Sequence, residues 1–287
     1  MAGAVSVSPG GAPSTPPDGG PRPLLDVQDL HLDFGGIKAV DGLSFSAYDG
    51  DILSVIGPNG AGKTSAFNCI TGFYKPTGGT VLIDGEDITG ARPSAIAGRG
   101  VSRTFQNLRL FGELTVLDNV RAGMHLRIKQ SALDALLHTP RFRRSEREAT
   151  EEANRWLDFV GLRGDRGGPA RNLPYGEQRR VEIARALARG PKLLLLDEPA
   201  AGLNHSEKME LLDLLRRISA LGVALVLIEH DMGLVMQVSQ RIVVLNFGKQ
   251  IADGTPEEVR RDPAVLEAYL GKDEDEPQAG DTEVPHE

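Results

Sequence analysis

Several short stretches of this chain carry residue types that handle phosphate. Gly57-Pro58-Asn59-Gly60-Ala61-Gly62-Lys63-Thr64 fits the spacing G-x-x-x-x-G-K-[S/T]. Glycines at 57, 60 and 62 let successive backbone N–H groups turn inward, and the positive end of a following helix adds to their field. In such a loop the lysine, Lys63, reaches the β- and γ-phosphates, and the Thr64 hydroxyl ligates Mg²⁺. Further on, the aliphatic run Leu193-Leu194-Leu195-Leu196 closes in Asp197-Glu198. A buried strand ending this way delivers Asp197 to a Mg²⁺ shell, and Glu198, facing the other way, is placed to polarise an attacking water. Ile228-Glu229-His230-Asp231 ends a second aliphatic run with a histidine beside acids.

These groups need particular elements to hold them. The apolar run 52–56 reads as a buried strand before the glycine-rich loop, and 65–70 carries a helical pattern after it. That strand–loop–helix context separates a phosphate site from an ordinary glycine-rich turn. Strand-like runs at 24–34 and 38–48 flank Gly35-Gly36. Phe34, just before the glycine pair, is either a stacking surface for an adenine ring or a core phenylalanine. A strand at 80–84, a short helix from Arg92-Pro93, and a strand edge running to Gln106 follow. From 115 to 160 the pattern is helical, with apolar stripes at Leu133, Leu136 and Leu137 and at Ala153, Trp156, Leu157 and Val160. The Arg141 to Arg147 cluster is most simply a solvated face. A helix is predicted over 181–189, another over 206–221, strands over 223–228 and 241–245, and a helical finish over 256–270.

Bulk properties narrow the function. The chain has 287 residues, 40% hydrophobic and 25% charged, enough for a full α/β core with a subdomain. Its formal charge is −8. The tail 272–287, with seven acidic residues and one lysine, holds a net −6, which leaves about −2 for the rest and no basic footprint for nucleic acid. Residues 1–23, rich in Pro, Gly and Ser, and the acidic tail are expected to be disordered. The aliphatic runs at 193–196 and 223–228 are too short to cross a bilayer, and no signal segment opens the chain. The single Cys69 excludes an internal disulfide and reads as a buried thiol.

Taken in order, Phe34, the loop 57–64, Gln106, Leu173-Pro174-Tyr175-Gly176-Glu177, Asp197-Glu198, Ala201-Gly202-Leu203-Asn204 and His230 make the chain resemble the ATP-binding cassette ATPases over about residues 24–271. The resemblance implies an α/β fold: a P-loop NTPase core of the ATP-binding cassette type, with an antiparallel β subdomain and an inserted α-helical subdomain at about 107–190. Stretches such as Arg103-Thr104-Phe105-Gln106-Asn107, Tyr175-Gly176-Glu177-Gln178-Arg179-Arg180 and Gly254-Thr255-Pro256-Glu257-Glu258-Val259 are similar to the ATPase subunits of high-affinity branched-chain amino acid importers. The segment Leu136-Leu137-His138-Thr139-Pro140 looks like the longer helical insert of one of the two paired ATPases.

What the resemblance implies about function is concrete. Two ATP molecules are sandwiched in a head-to-tail dimer, each between one subunit's phosphate loop and the other's signature segment. Phe34, beside the adenine, and Val40 would be among the nucleotide-binding residues. Gly57, Pro58, Asn59, Gly60, Ala61, Gly62, Lys63, Thr64 and Ser65 would cradle the phosphates, and Tyr175, Gly176 and Glu177 would face the partner's nucleotide. Thr64, Gln106 and Asp197 would serve Mg²⁺. Glu198 would act as general base, with Lys63, His230 and Gln106 completing the catalytic set. The implied partners are a second ATPase subunit, identical or homologous, membrane-spanning permease subunits and, indirectly, a solute-binding protein. The implied place is the cytoplasmic face of the plasma (inner) membrane. Urea or amide systems, lipopolysaccharide-type exporters and, further off, DNA-associated ATPases are the alternatives. The helical insert lacks the sustained heptads of the last group. Two departures stand out: Pro174, where the signature commonly has serine, followed by Tyr175 in place of glycine, and Asn204, where many members carry aspartate.

Overall fold

The computed structural model describes residues 22–124 and 140–270. Strands β1 (Leu25–Phe34) and β2 (Ile37–Ala47) form an antiparallel hairpin around Gly35 and Gly36, both with positive φ. Then come β3 (Ile52–Ile56), α1 (Lys63–Ile70), β4 (Gly78–Ile83), β5 (Glu86–Asp87), α2 (Pro93–Gly98) and β6 (Val101–Arg103). A helical region follows, with α3 (Val116–Gly123), α4 (Pro140–Phe159) and α5 (Tyr175–Leu187). The chain then alternates through β7 (Leu193–Asp197), α6 (His205–Ala220), β8 (Ala224–Ile228), α7 (Met232–Val238), β9 (Arg241–Asn246) and β10 (Lys249–Gly254). It ends in α8 (Pro256–Arg261) and α9 (Pro263–Leu270).

Two sheets result. One has four strands in the order β2-β1-β4-β5, all antiparallel; the other has six, β10-β9-β3-β8-β7-β6, parallel except for β10 at its edge. The parallel sheet is covered on both faces, which is why its strands are continuous aliphatic runs. Side chains alternate between the faces. Leu193, Leu195, Val226 and Ile228 join Phe67 and Ile70 of α1 and the antiparallel sheet in one core. Leu194, Leu196, Leu225 and Leu227 join Val181, Ala184, Leu215 and Ile218 of α5 and α6 in another. The helical region shares that second core through Val116, Val120, Ala153 and Leu157. Gly123 lets α3 approach α5 closely: a Cβ there would stand 2.3 Å from the Arg185 carbonyl oxygen.

The α/β class, both sheets and the helical insertion match expectation. Two readings need adjustment. The helix predicted from Val181 begins at Tyr175, because Pro174, with ψ 152°, serves as its N-cap and the signature-like residues form its first turn. The helical finish is two helices parted at Asp262, since the residue before Pro263 is biased out of helical geometry. Asn204 caps α6, its side chain accepting from the Glu207 N–H at 3.0 Å while Glu207 reaches back to the Asn204 N–H at 2.8 Å. The stripe at Leu133, Leu136 and Leu137, the segment 136–139, most of the N-terminal stretch and the acidic tail lie outside the described residues. On α4 and just beyond it, Ala153, Leu157 and Val160 of the other stripe are buried and Trp156 is partly buried, while Arg144 pairs with Glu148 on an exposed face.

Candidate active site

The C-terminal ends of β3, β7 and β8 meet at one edge of the parallel sheet, where open α/β sheets place ligands. The loop between β3 and α1 curls so tightly that two of its glycines admit no side chain. A Cβ at Gly57 (φ +146°) would lie 2.0 Å from the Leu245 carbonyl oxygen, and one at Gly62 (φ +101°) 2.2 Å from that of Ala39. Lys63 is buried, and its Nζ donates to the carbonyls of Gly57 at 2.7 Å and Pro58 at 2.9 Å. The ammonium is thereby folded back over the loop. Residues 59–65 line an open cleft of about 400 Å³ with Ile37, Lys38, Glu198 and Phe247, within the usual size for a small-molecule site.

Glu198 follows β7 with φ +48°, a left-handed conformation that a β-carbon disfavours and that neighbours must impose. Its N–H donates to the Ile228 carbonyl at 2.9 Å, and next to it the buried Glu229 accepts from the Ala200 N–H at 2.8 Å. The Glu198 carboxylate lies between Gln106, whose Nε2 donates to Oε2 at 2.9 Å, and His230, whose Nδ1 is 3.5 Å from Oε1. Two of the residues singled out from sequence therefore converge on the carboxylate of a third. Burial pushes the Glu229 carboxyl above the ordinary range, opposed by the Ala200 hydrogen bond and the charge of His230.

Asp197 is buried and bonded at 2.8 Å to Arg103, which also donates to Asn68 and Thr71 of the helix after the phosphate loop. Arg103 sits among the rings of Phe67, Phe73 and Phe105, at 5.6, 6.0 and 5.1 Å. Sequence reading quoted Arg103 only within a family-like stretch. Its signal was a cation at the end of an edge strand otherwise made of small and apolar residues. Phe247 and Ile37, both strongly exposed, also went unnoticed; only a β-turn reading beside the loop would have found them.

The remaining sequence-named residues lie elsewhere. Phe34 ends β1 half-exposed, its ring edge-on to Tyr74 at 5.3 Å, while Val40 is fully buried in the core beneath the hairpin. Tyr175, Gly176 and Glu177 form the first turn of α5 and do not line the cleft. Gly176 packs against α6, where a Cβ would stand 2.6 Å from the Glu207 carboxylate, and Glu177 accepts from the Arg163 N–H at 3.0 Å. Cys69 is buried in the core, which pushes its thiol up to about 11.

The open cleft of about 400 Å³ lined by residues 59–65, with the buried Lys63 among them, suits a triphosphate. For a magnesium ion, the Thr64 hydroxyl and the Asp197 carboxylate are hard oxygen donors, and Mg²⁺ otherwise takes its ligands from water and phosphate. Among the described residues no cluster of three or more His, Cys, Asp or Glu could hold a metal by itself.

A doubly covered parallel sheet, a phosphate loop opening a helix, and an acid held beside glutamine and histidine define a P-loop ATPase. Residues 40–201 match the family described as "ABC transporter", and residues 249–275 match "Branched-chain amino acid ATP-binding cassette transporter". The chain is 50% identical over 252 residues to the high-affinity branched-chain amino acid transport ATP-binding protein BraF of Pseudomonas aeruginosa, covering 88% of this chain and 99% of that protein. It is 48% identical, with the same coverage, to LivG of Escherichia coli K12, which carries the same description. The ADP conformation of MJ1267, an ATP-binding cassette of an ABC transporter, superposes with a TM-score of 0.75 at 32% identity, over 87% of this chain and 99% of that one. The chain belongs to the ABC transporter family, as an ATP-binding, ATP-hydrolysing member.

Proposed function

We propose that this chain is the ATPase subunit that powers import of branched-chain, hydrophobic amino acids through a membrane permease. The ATPase half rests on one observation above others: Glu198, held in a left-handed conformation beside the phosphate loop, is flanked by Gln106 and His230. The solute rests on the likeness to BraF and LivG over nearly their whole lengths.

The chain's own groups divide the work of phosphoryl transfer. The loop N–H groups from Gly57 to Thr64 and the start of α1 bind and orient the phosphates, and Lys63 swings from its carbonyl partners onto the terminal phosphate oxygens. Glu198 accepts a proton from the attacking water, with Gln106 and His230 fixing the carboxylate. A magnesium ion bound by Thr64 and Asp197 would neutralise charge on the β- and γ-phosphates. Phe34 would offer its face to the adenine, and the first turn of α5 would close on the nucleotide of a second ATPase subunit. The permease is expected against the helical region, with the chain peripheral to the cytoplasmic face of the plasma (inner) membrane. No described helix is long and apolar enough to cross a membrane.

The test is uptake into right-side-out membrane vesicles, or proteoliposomes, that enclose ATP and carry this chain and its permease, with the solute-binding protein supplied outside. ATP-dependent accumulation of leucine, isoleucine and valine is expected. Accumulation of urea or amides in their place would overturn the solute assignment.

A further inference from the structure

Arg179 is among the largest fully buried side chains of the described residues, at 1% exposed, though arginine is seldom interior without a dedicated set of acceptors. Its acceptors come from two different elements. One guanidinium nitrogen donates to the Phe105 carbonyl at 3.0 Å and the Glu182 carboxylate at 2.8 Å. The other donates to the Gln106 carbonyl at 3.0 Å and the Tyr175 hydroxyl at 3.0 Å. The planar fork thus bolts the backbone on either side of the Phe105–Gln106 peptide to the first turn of α5. Glu182, buried and pushed above the ordinary carboxylate range by desolvation, is drawn back down chiefly by the Arg179 charge, and it also accepts from the Arg109 N–H at 3.4 Å.

Both ends of this bolt matter. At one end the Gln106 side chain donates to Glu198. At the other the Tyr175 ring leans on the loop after Glu198, where a Cβ at Gly202 would come within 3.1 Å of it. Any shift of Gln106 that follows events at Glu198 therefore moves the Arg179 acceptors, and with them the turn Tyr175-Gly176-Glu177.

We infer that Arg179 is a positioning residue linking the hydrolytic carboxylate of this chain's own site to the α5 turn that closes on the partner's nucleotide. The inference rests on the proposed placement of that turn against a second subunit. Lysine at 179 keeps the charge but cannot span four acceptors on two elements, whereas Tyr175→Phe removes one hydroxyl and keeps the ring.

The experiment uses the full chain co-purified with its permease and partner ATPase, and follows the ATPase rate against ATP concentration. A fluorescent ATP analogue, MANT-ATP, reports nucleotide affinity on the full chain alone. Arg179→Lys should leave MANT-ATP affinity within about twofold of wild type and lower kcat at least about tenfold, with Tyr175→Phe following in the same direction by a smaller factor. Unchanged kcat in both variants would overturn the inference. So would a parallel loss of MANT-ATP affinity, the mark of a purely structural role. If Arg179→Lys fails to fold, Tyr175→Phe decides alone. The Glu198→Gln complex separates the two levels: if it still turns over at the wild-type rate, the underlying reading of the site has failed, and the Arg179 inference with it.

Discussion

Arg103 and Asp197 form an ion pair of 2.8 Å in which both side chains are only 6% exposed. Asp197 closes β7, and Arg103 on the neighbouring edge strand also grips Asn68 of the helix that follows the phosphate loop and Thr71 at its C-cap. The pair therefore fixes the acid relative to Thr64, the other oxygen donor expected at magnesium.

Removing one member of a buried pair strands the other charge, which costs about 3–5 kcal/mol. Arg103→Met should lower the unfolding free energy by about that amount in urea, with ATPase activity falling as Asp197 loses its anchor. A variant as stable as the wild type would show that the pair is not a tie between the strand and the helix.

Glu229 yields a pH prediction. Its folded pKa is raised above the ordinary 4.5 by burial, so between those two values the folded protein holds a proton that the unfolded chain has lost. This group's contribution is therefore most favourable at and below pH 4.5 and falls as pH rises through the raised value, by about 1.4 kcal/mol per pH unit crossed. Glu229→Gln keeps an oxygen for the Ala200 N–H and removes the titration. Its stability profile above pH 4.5 should be flatter than the wild type's, and the variant should be at least as stable at pH 8. Superimposable profiles for the two proteins would contradict this.

Pro174 precedes the first turn of α5 and has neither a hydroxyl nor an N–H to offer a phosphate in the opposite site. Pro174→Ser supplies a donor and a conventional helix cap. In the assembled complex it should raise the ATPase rate several-fold, with a ceiling near tenfold from one charge-assisted hydrogen bond of about 1.5 kcal/mol. An unchanged rate would show that the missing donor at 174 does not weaken hydrolysis in the opposite site.

Much of this was legible in the sequence, for identifiable reasons. The phosphate loop has a fixed local spacing that the chain shows in full, and Gly57 and Gly62, with positive φ, stand where a Cβ would come within 2.0 and 2.2 Å of backbone oxygens. The aliphatic runs ending at Asp197 and Ile228 announce parallel strands because both faces are covered. What escaped was long-range pairing. Nothing near Arg103 tells that it meets a residue 94 positions away, and nothing near Arg179 tells that it reaches the carbonyls of Phe105 and Gln106. The start of α5 lies six residues before the predicted one, because residues 175–180 are mostly polar and carry no apolar stripe of their own, while Pro174 caps the helix.

The account depends most on Glu198 as the base that activates water beside a loop-bound triphosphate. The direct measurement is single-turnover hydrolysis of radiolabelled ATP by the assembled complex carrying Glu198→Gln, paired with nucleotide retention after rapid gel filtration. Loss of a general base predicts a rate lower by about 10²–10⁴-fold with ATP retained uncleaved. Hydrolysis near the wild-type rate, or no retained ATP, would contradict it.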